Sequence, residues 1–260
     1  MKLTMYQVDA FADRVFTGNP AAICPLESWI ADETMQAIAR ENNLAETAYF
    51  VKEGDGYRLR WFTPEAEVDL CGHATLASAF VLKECLGNAD DVMHFDTLSG
   101  RLSVEYRDGK YVMDFPSRPP QPCEPNPVLI EALGAAPDTL MASARDYFAV
   151  YPDETALATL SPNMFRLCDV ERFAVICTAP GDNVDFVSRF FAPKQGVPED
   201  PVTGSAHTTL IPYWADRLGK TVLRARQISQ RGGDVWCAHK GERVTIAGNG
   251  VLYLEGTIEV

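Results

Sequence analysis

A chain of 260 residues has room for one large hydrophobic core or two of ordinary size, and 47% hydrophobic with 23% charged residues describes a packed globular protein, not a disordered one. The formal charge of −13, with no run of Lys or Arg, argues against nucleic acid or an anionic membrane as partner, since both demand a basic surface. A local electropositive pocket can still accept an anion, so net charge excludes surfaces better than it excludes small substrates.

Met1 to Asp9 reaches an acidic residue before any long apolar run, and no later apolar stretch attains the roughly 18 residues of a membrane span, so a soluble chain without a secretion signal is expected. Seven cysteines, at 24, 71, 85, 123, 168, 177 and 237, stand singly without a CxxC pair, which suits a reducing compartment and a cytoplasmic location. In chain order, residues 3–10 and 21–24 read as strands. Residues 32–42 read as a helix, with Asp32 as N-cap and Met35, Ile38 and Ala39 as the apolar face. Residues 47–52 and 57–62 form a predicted hairpin around Gly54-Asp55-Gly56, so Glu46 falls between the end of a helix and the start of a strand.

A helix is predicted over 72–86, stopped at Gly87-Asn88, followed by strands at 93–99, 101–106 and 111–115 with a tight turn at Asp108-Gly109. Residues 116–127 hold six prolines in a dozen positions, a density no helix or central strand tolerates, and are expected to form an extended linker between two units. Beyond it come predicted strands at 147–151 and 172–177, a helical pattern around 152–160, and a helix over 204–218. The two long helices superimpose in sequence. Gly72-His73-Ala74 follows Asp69 and ends at Leu86-Gly87, while Gly204-Ser205-Ala206 follows Asp200 and ends at Leu218-Gly219, with Gly204 lying 132 positions after Gly72. Two like halves explain the match; because Gly commonly ends helices, chance agreement of two amphipathic helices is the alternative.

The two Gly-led helix starts offer free N–H groups and the positive end of a helix dipole to a carboxylate or a developing enolate, although Asp69, Asp200 and Thr203 are also ordinary capping residues. His73 beside Gly72 is the histidine best placed to face a pocket, and His207 could share that role. Cys71 at a helix start suggests a thiol mechanism, but the matching helix start offers Thr203-Gly204-Ser205 and no second thiol, and a buried structural thiol is the plainer reading. No HExxH, Cys/His cluster or nucleotide-binding glycine motif occurs, so no metal or cofactor is expected. By residue pattern alone Glu46 is one carboxylate among many.

Four segments in order carry a resemblance: Val8-Asp9-Ala10-Phe11 with Phe16-Thr17-Gly18-Asn19-Pro20-Ala21-Ala22, then Asn43-Leu44-Ala45-Glu46-Thr47-Ala48, then Asp69-Leu70-Cys71-Gly72-His73-Ala74-Thr75, then Glu199-Asp200-Pro201-Val202-Thr203-Gly204-Ser205-Ala206-His207. Together they resemble the PhzF family of phenazine-biosynthesis-like proteins, with Ala144-Arg145-Asp146-Tyr147 and Arg231-Gly232-Gly233 as weaker matches. The resemblance implies an α+β fold similar to that of diaminopimelate epimerase: two like halves, each a curled, barrel-like mixed sheet around a central helix, with the active site in the cleft between them. The expected halves are residues 1–118 plus 251–260 and residues 126–248.

The resemblance further implies a cofactor-independent isomerase acting by general acid/base catalysis on a small carboxylate-bearing substrate, and a cytoplasmic homodimer. The family's catalytic roles fall on Glu46, His73, Asp200 and Ser205, with Asn19, Gly72 and Gly204 as expected substrate contacts. Ser205 stands where a two-thiol racemase would place its second cysteine, which favours one carboxylate shuttle. A thiol racemase or epimerase using Cys71, and a non-catalytic carboxylate-binding or regulatory protein, are the competing readings.

Overall fold

The structure, a computed structural model, describes residues 1–260. The chain packs as two units, Met1–Asp114 with Ala247–Val260, and Phe115–Ile246. In the first, β1 (Lys2–Ala10) turns back as β2 (Asn19–Leu26), and α1 (Asp32–Asn42) carries the chain to β3 (Glu46–Glu53), parallel to β2. Next β4 (Gly56–Phe62) pairs antiparallel with β3, and the short β5 (Glu67–Val68) leads to α2 (Gly72–Phe80). Beyond α2, β6 (Val92–Thr97) lies parallel to β4, and β7 (Gly100–Arg107) and β8 (Lys110–Pro116) follow as antiparallel neighbours. A C-terminal strand, Gly250–Glu259, pairs with β1 along the whole of Lys2 to Ala10.

Local chemistry accounts for these joints. Asp108 and Gly109 both have positive φ (52° and 73°), the two-residue turn whose twist suits a hairpin. The end of α1 is set by Asn43 in the left-handed region (φ 48°), its N–H bonding to Ala39 O. Asp32 is not the cap expected of it: Ala31 occupies that position, and the Asp32 carboxylate instead accepts from Arg60 at 2.8 Å. Every residue of α2 from His73 to Ala79 is buried, and a helix buried all round has sheet on all sides. Its small side chains allow the strands to approach, and Ser78 returns its hydroxyl to Ala74 O at 2.7 Å. The helix ends in a π-helical turn, Val81–Cys85, closed by Leu86 N–H to Val81 O at 2.9 Å.

The second unit contains β9 (Gln121–Pro122), α3 (Pro127–Leu133), β10 (Thr139–Ala142), β11 (Asp146–Val150), α4 (Glu154–Ala158), α5 (Met164–Leu167), β12 (Ala174–Pro180) and β13 (Phe186–Phe191). It continues with α6 (Gly204–Leu218), β14 (Val222–Gln227), β15 (Gly233–Lys240) and β16 (Arg243–Gly248). From β10 to β15 successive strands pair antiparallel, parallel, antiparallel, parallel, antiparallel. The series β1, β2, β3, β4, β6, β7 repeats that order. Parallel neighbours need a crossover, and in both units the second crossover is the long helix that starts at Gly72 or Gly204. The matched helices of the sequence are therefore matched in topology.

The proline-rich segment is extended as expected but is no free linker. Unit boundaries fall at 114/115 and 246/247, inside β8 and β16, and the segment is laid down on the second unit. Ser117 N–H bonds Glu242 O, Arg118 N–H bonds Thr208 O (both 2.9 Å), and Pro122 pairs opposite Met141 in β10. Pro212 inside α6 explains the second bond: lacking an N–H, it leaves the carbonyl four residues back, Thr208 O, to be satisfied from outside the helix.

Candidate functional site

In the first unit, one cluster forms where three elements begin. Gly18 turns into β2 with φ +69°, and a Cβ there would meet Ala10 O at 2.2 Å, so only glycine delivers Asn19 to the first position of the strand. Glu46 opens β3, opposite Ala21 of β2 in the parallel register. Cys71 is the extended N-cap of α2 (φ −142°), and Gly72 and His73 are its first two helical residues.

These starts bring together Asn19, Glu46, Cys71 and His73. His73 Nε2 lies 3.0 Å from Glu46 Oε2, with the two side chains only 6% and 17% exposed. On the other edge of the ring, Nδ1 lies 3.2 Å from Asn19 Nδ2 and 3.5 Å from Cys71 Sγ. Burial disfavours charge on the ring, but the Cys71 sulfur and the Glu46 carboxylate outweigh it and hold His73 well above the usual histidine range. Burial, reinforced by Glu46, pushes the Cys71 thiol up to about 11, against the lowered value expected of a catalytic thiol at a helix start.

The ligand atoms of Glu46, Cys71 and His73 fall within 4.8 Å of one another, a spacing that would suit a metal ion. A metal there would have to displace the protons that Cys71 and His73 are biased to keep in its absence.

Asp200, Gly204 and Ser205 lie in the second unit, at and before the start of α6. Asp200 Oδ2 accepts a short hydrogen bond from Thr203 Oγ1. Gln227, fully buried at the end of β14, receives Thr203 N–H at 2.9 Å and donates to Asp200 O at 2.7 Å and Thr203 Oγ1 at 3.1 Å, which pins the turn that presents Asp200. Ser205 Oγ accepts from Arg145 Nη2 at 2.9 Å. His207 does not join these residues: its Nδ1–H donates to Thr203 O at 2.8 Å, its ring sits 6.1 Å from that of Phe186, and burial lowers it to about 4.

Gln227 and Arg145 are the residues that sequence reasoning did not assign. Gln227 had a readable signal, because it continues the inward-facing series Leu223, Ala225 of an alternating strand and so sits polar where the core should be. Arg145 was visible only as part of the weakly matching Ala144-Arg145-Asp146-Tyr147.

The model of the PhzC-PhzF family, phenazine biosynthesis-like proteins, matches residues 8–256. The chain belongs to this family. It is 53% identical over its full length to an uncharacterized isomerase of Pseudomonas aeruginosa, whose whole length is also covered. A crystal structure of a PhzF-family protein from Enterococcus faecalis superimposes with a TM-score of 0.97 at 48% identity, over 100% of both chains. A hydroxyproline epimerase from Agrobacterium vitis, 10% identical, aligns with a TM-score of 0.62 over 99% of this chain and 92% of its own. At that identity the likeness is one of fold, and it places this PhzF-family chain among the α+β, epimerase-like folds.

Proposed function

We propose that this PhzF-family chain is a cofactor-independent isomerase that moves a proton between two carbons of a small carboxylate-bearing substrate, with Glu46 as the proton carrier. The observation that carries the reading is the buried 3.0 Å contact between Glu46 Oε2 and His73 Nε2. Glu46 takes a proton from a carbon next to a conjugated carboxyl system; the electron pair left behind moves onto the carboxyl oxygens as an enolate. The Glu46 O–H then returns the proton to another carbon of that system. His73, 3.0 Å from Glu46, helps hold the carboxylate in place while it is ionised, before the first transfer and after the second. Backbone N–H groups at Gly72 and Gly204 are donors of the kind that stabilise an enolate, and Asp200 and Ser205 are the assisting groups that the family resemblance supplies. The names of relatives, isomerases among them, support the reaction class.

A thiol racemase through Cys71 is disfavoured, because the thiol is buried and raised to about 11, and the matching helix start of the second unit, Thr203-Gly204-Ser205, carries no thiol. The test is deuterium wash-in from D₂O over a panel of cyclic and amino carboxylic acids, read by mass spectrometry. Glu46→Gln keeps shape and removes the proton acceptor, so wash-in should fall about 10²–10⁴-fold with thermal stability nearly unchanged, while Cys71→Ala keeps most of its rate. Normal turnover by Glu46→Gln together with a dead Cys71→Ala reverses the assignment.

A further inference from the structure

Three arginines of a chain of formal charge −13 gather around one buried carboxylate in its second unit. Arg145, Arg118 and Arg172 all bear on Asp146, a carboxylate that is 3% exposed and whose pKa burial raises against their pull. Two further acids belong to the neighbourhood, Asp200 bonded by Thr203 Oγ1 and Glu171 by the Tyr147 hydroxyl, so guanidinium and carboxylate groups are interleaved there and what singles the place out is the geometry of Arg145.

Arg145 is fixed on three sides. Its Nε donates to both oxygens of Asp146 at 3.0 Å, its Nη2 donates to Ser205 Oγ at 2.9 Å, and its guanidinium carbon stands 4.7 Å from the centre of the Phe173 ring. The Nη1 amino group makes no bond within the protein, and 34% of the side chain is open to solvent. An arginine usually loses rotamer freedom when it binds a ligand; this one has already lost it. Ser205 Oγ, accepting a hydrogen bond from the guanidinium, keeps its own O–H to donate. The N–H groups of Gly204 and Ser205, in the first turn of α6, have no helical acceptor. Guanidinium, hydroxyl and amide all offer protons, and their common complement is a planar anion with paired acceptors, which is a carboxylate.

We propose that Arg145 is the specificity-determining residue for the substrate's carboxylate, with the Ser205 hydroxyl and the first N–H groups of α6 completing its recognition. This deepens the proton-transfer reading and rests on it: Arg145 selects which molecules reach the chemistry, and Glu46 performs it.

Benzoate and its neutral isostere benzamide, titrated calorimetrically into the intact protein, separate carboxylate recognition from turnover. Wild type should bind benzoate at least tenfold more tightly than benzamide. Arg145→Gln should weaken benzoate by about 10–100-fold and leave benzamide unchanged, the range expected for losing a charge-assisted forked contact, with Arg145→Lys falling between. Should Arg145→Gln fail to fold because Asp146 is left buried and unpaired, the double variant Arg145→Gln/Asp146→Asn removes that charge and must show the same loss of preference. A wild type without preference for benzoate, or a folded variant that keeps it, overturns the proposal. Because these titrations read binding alone, their outcome is separate from the wash-in test of Glu46.

Discussion

His73 and His207 bring the same side chain into opposite electrostatic settings. His73 shares its ring with a carboxylate and is raised; His207 meets only a backbone carbonyl and aromatic neighbours and is lowered to about 4. The sign for His207 follows from linkage: an unfolded histidine titrates near 6.5, so between about 6.5 and 4 the unfolded chain binds the proton that the folded chain refuses. Its contribution is complete above pH 6.5 and is lost as pH falls through this window, by on the order of 3 kcal/mol. Urea unfolding of wild type and His207→Met from pH 7 to 4.5 should show the variant with the shallower decline, and parallel declines would refute the assignment. Both histidines stood beside helix starts in the sequence, yet their different fates were not legible there. Part of what decides them comes from elsewhere in the chain: Glu46, which raises His73, opens β3, and Phe186, which helps bury His207, opens β13.

At the scale of elements, the start of α6 depends on β14. Gln227 supplies bonds to Thr203 N–H, Asp200 O and Thr203 Oγ1, all from one fully buried side chain. Gln227→Met keeps the length and orphans buried donors and acceptors, so unfolding free energy should fall by about 2–4 kcal/mol. Wash-in should fall as well, since Asp200 loses its fixed turn; an unchanged midpoint in urea would show that water replaces the amide. Helices and hairpins such as 204–218 and the Asp108-Gly109 turn were legible because apolar period and turn chemistry are local signals. The π-helical end of α2 and the docking of the proline segment were not. A proline run declares itself extended, but the carbonyl that Pro212 leaves for Arg118 is a fact about another element.

For the whole molecule, the governing fact is that the first unit is discontinuous and the second is not. The spacing of the Gly-led helices announced two like halves, and the repeated order of strand pairings is its structural counterpart. The return of the final strand to β1 had no local signature and was expected only from family resemblance. Deleting residues 250–260 strips one side of β1 from Lys2 to Ala10 and exposes a long edge. Calorimetry of the truncated protein should lose the transition belonging to the first unit and retain one for residues 115–246; a single undiminished transition would show that the strand is dispensable.

That same strand orders events during synthesis. The ribosome finishes all of residues 115–246 before it makes the strand that completes the unit begun at Met1. A nascent chain thus carries β1 with one edge unpaired throughout the translation of the second unit, and rare codons or stalling near residue 249 would prolong that exposure. The interval in which β1 is most open to aggregation therefore spans the making of the whole second unit and closes only when the strand from Gly250 to Glu259 has emerged, far from the residues proposed to do the chemistry.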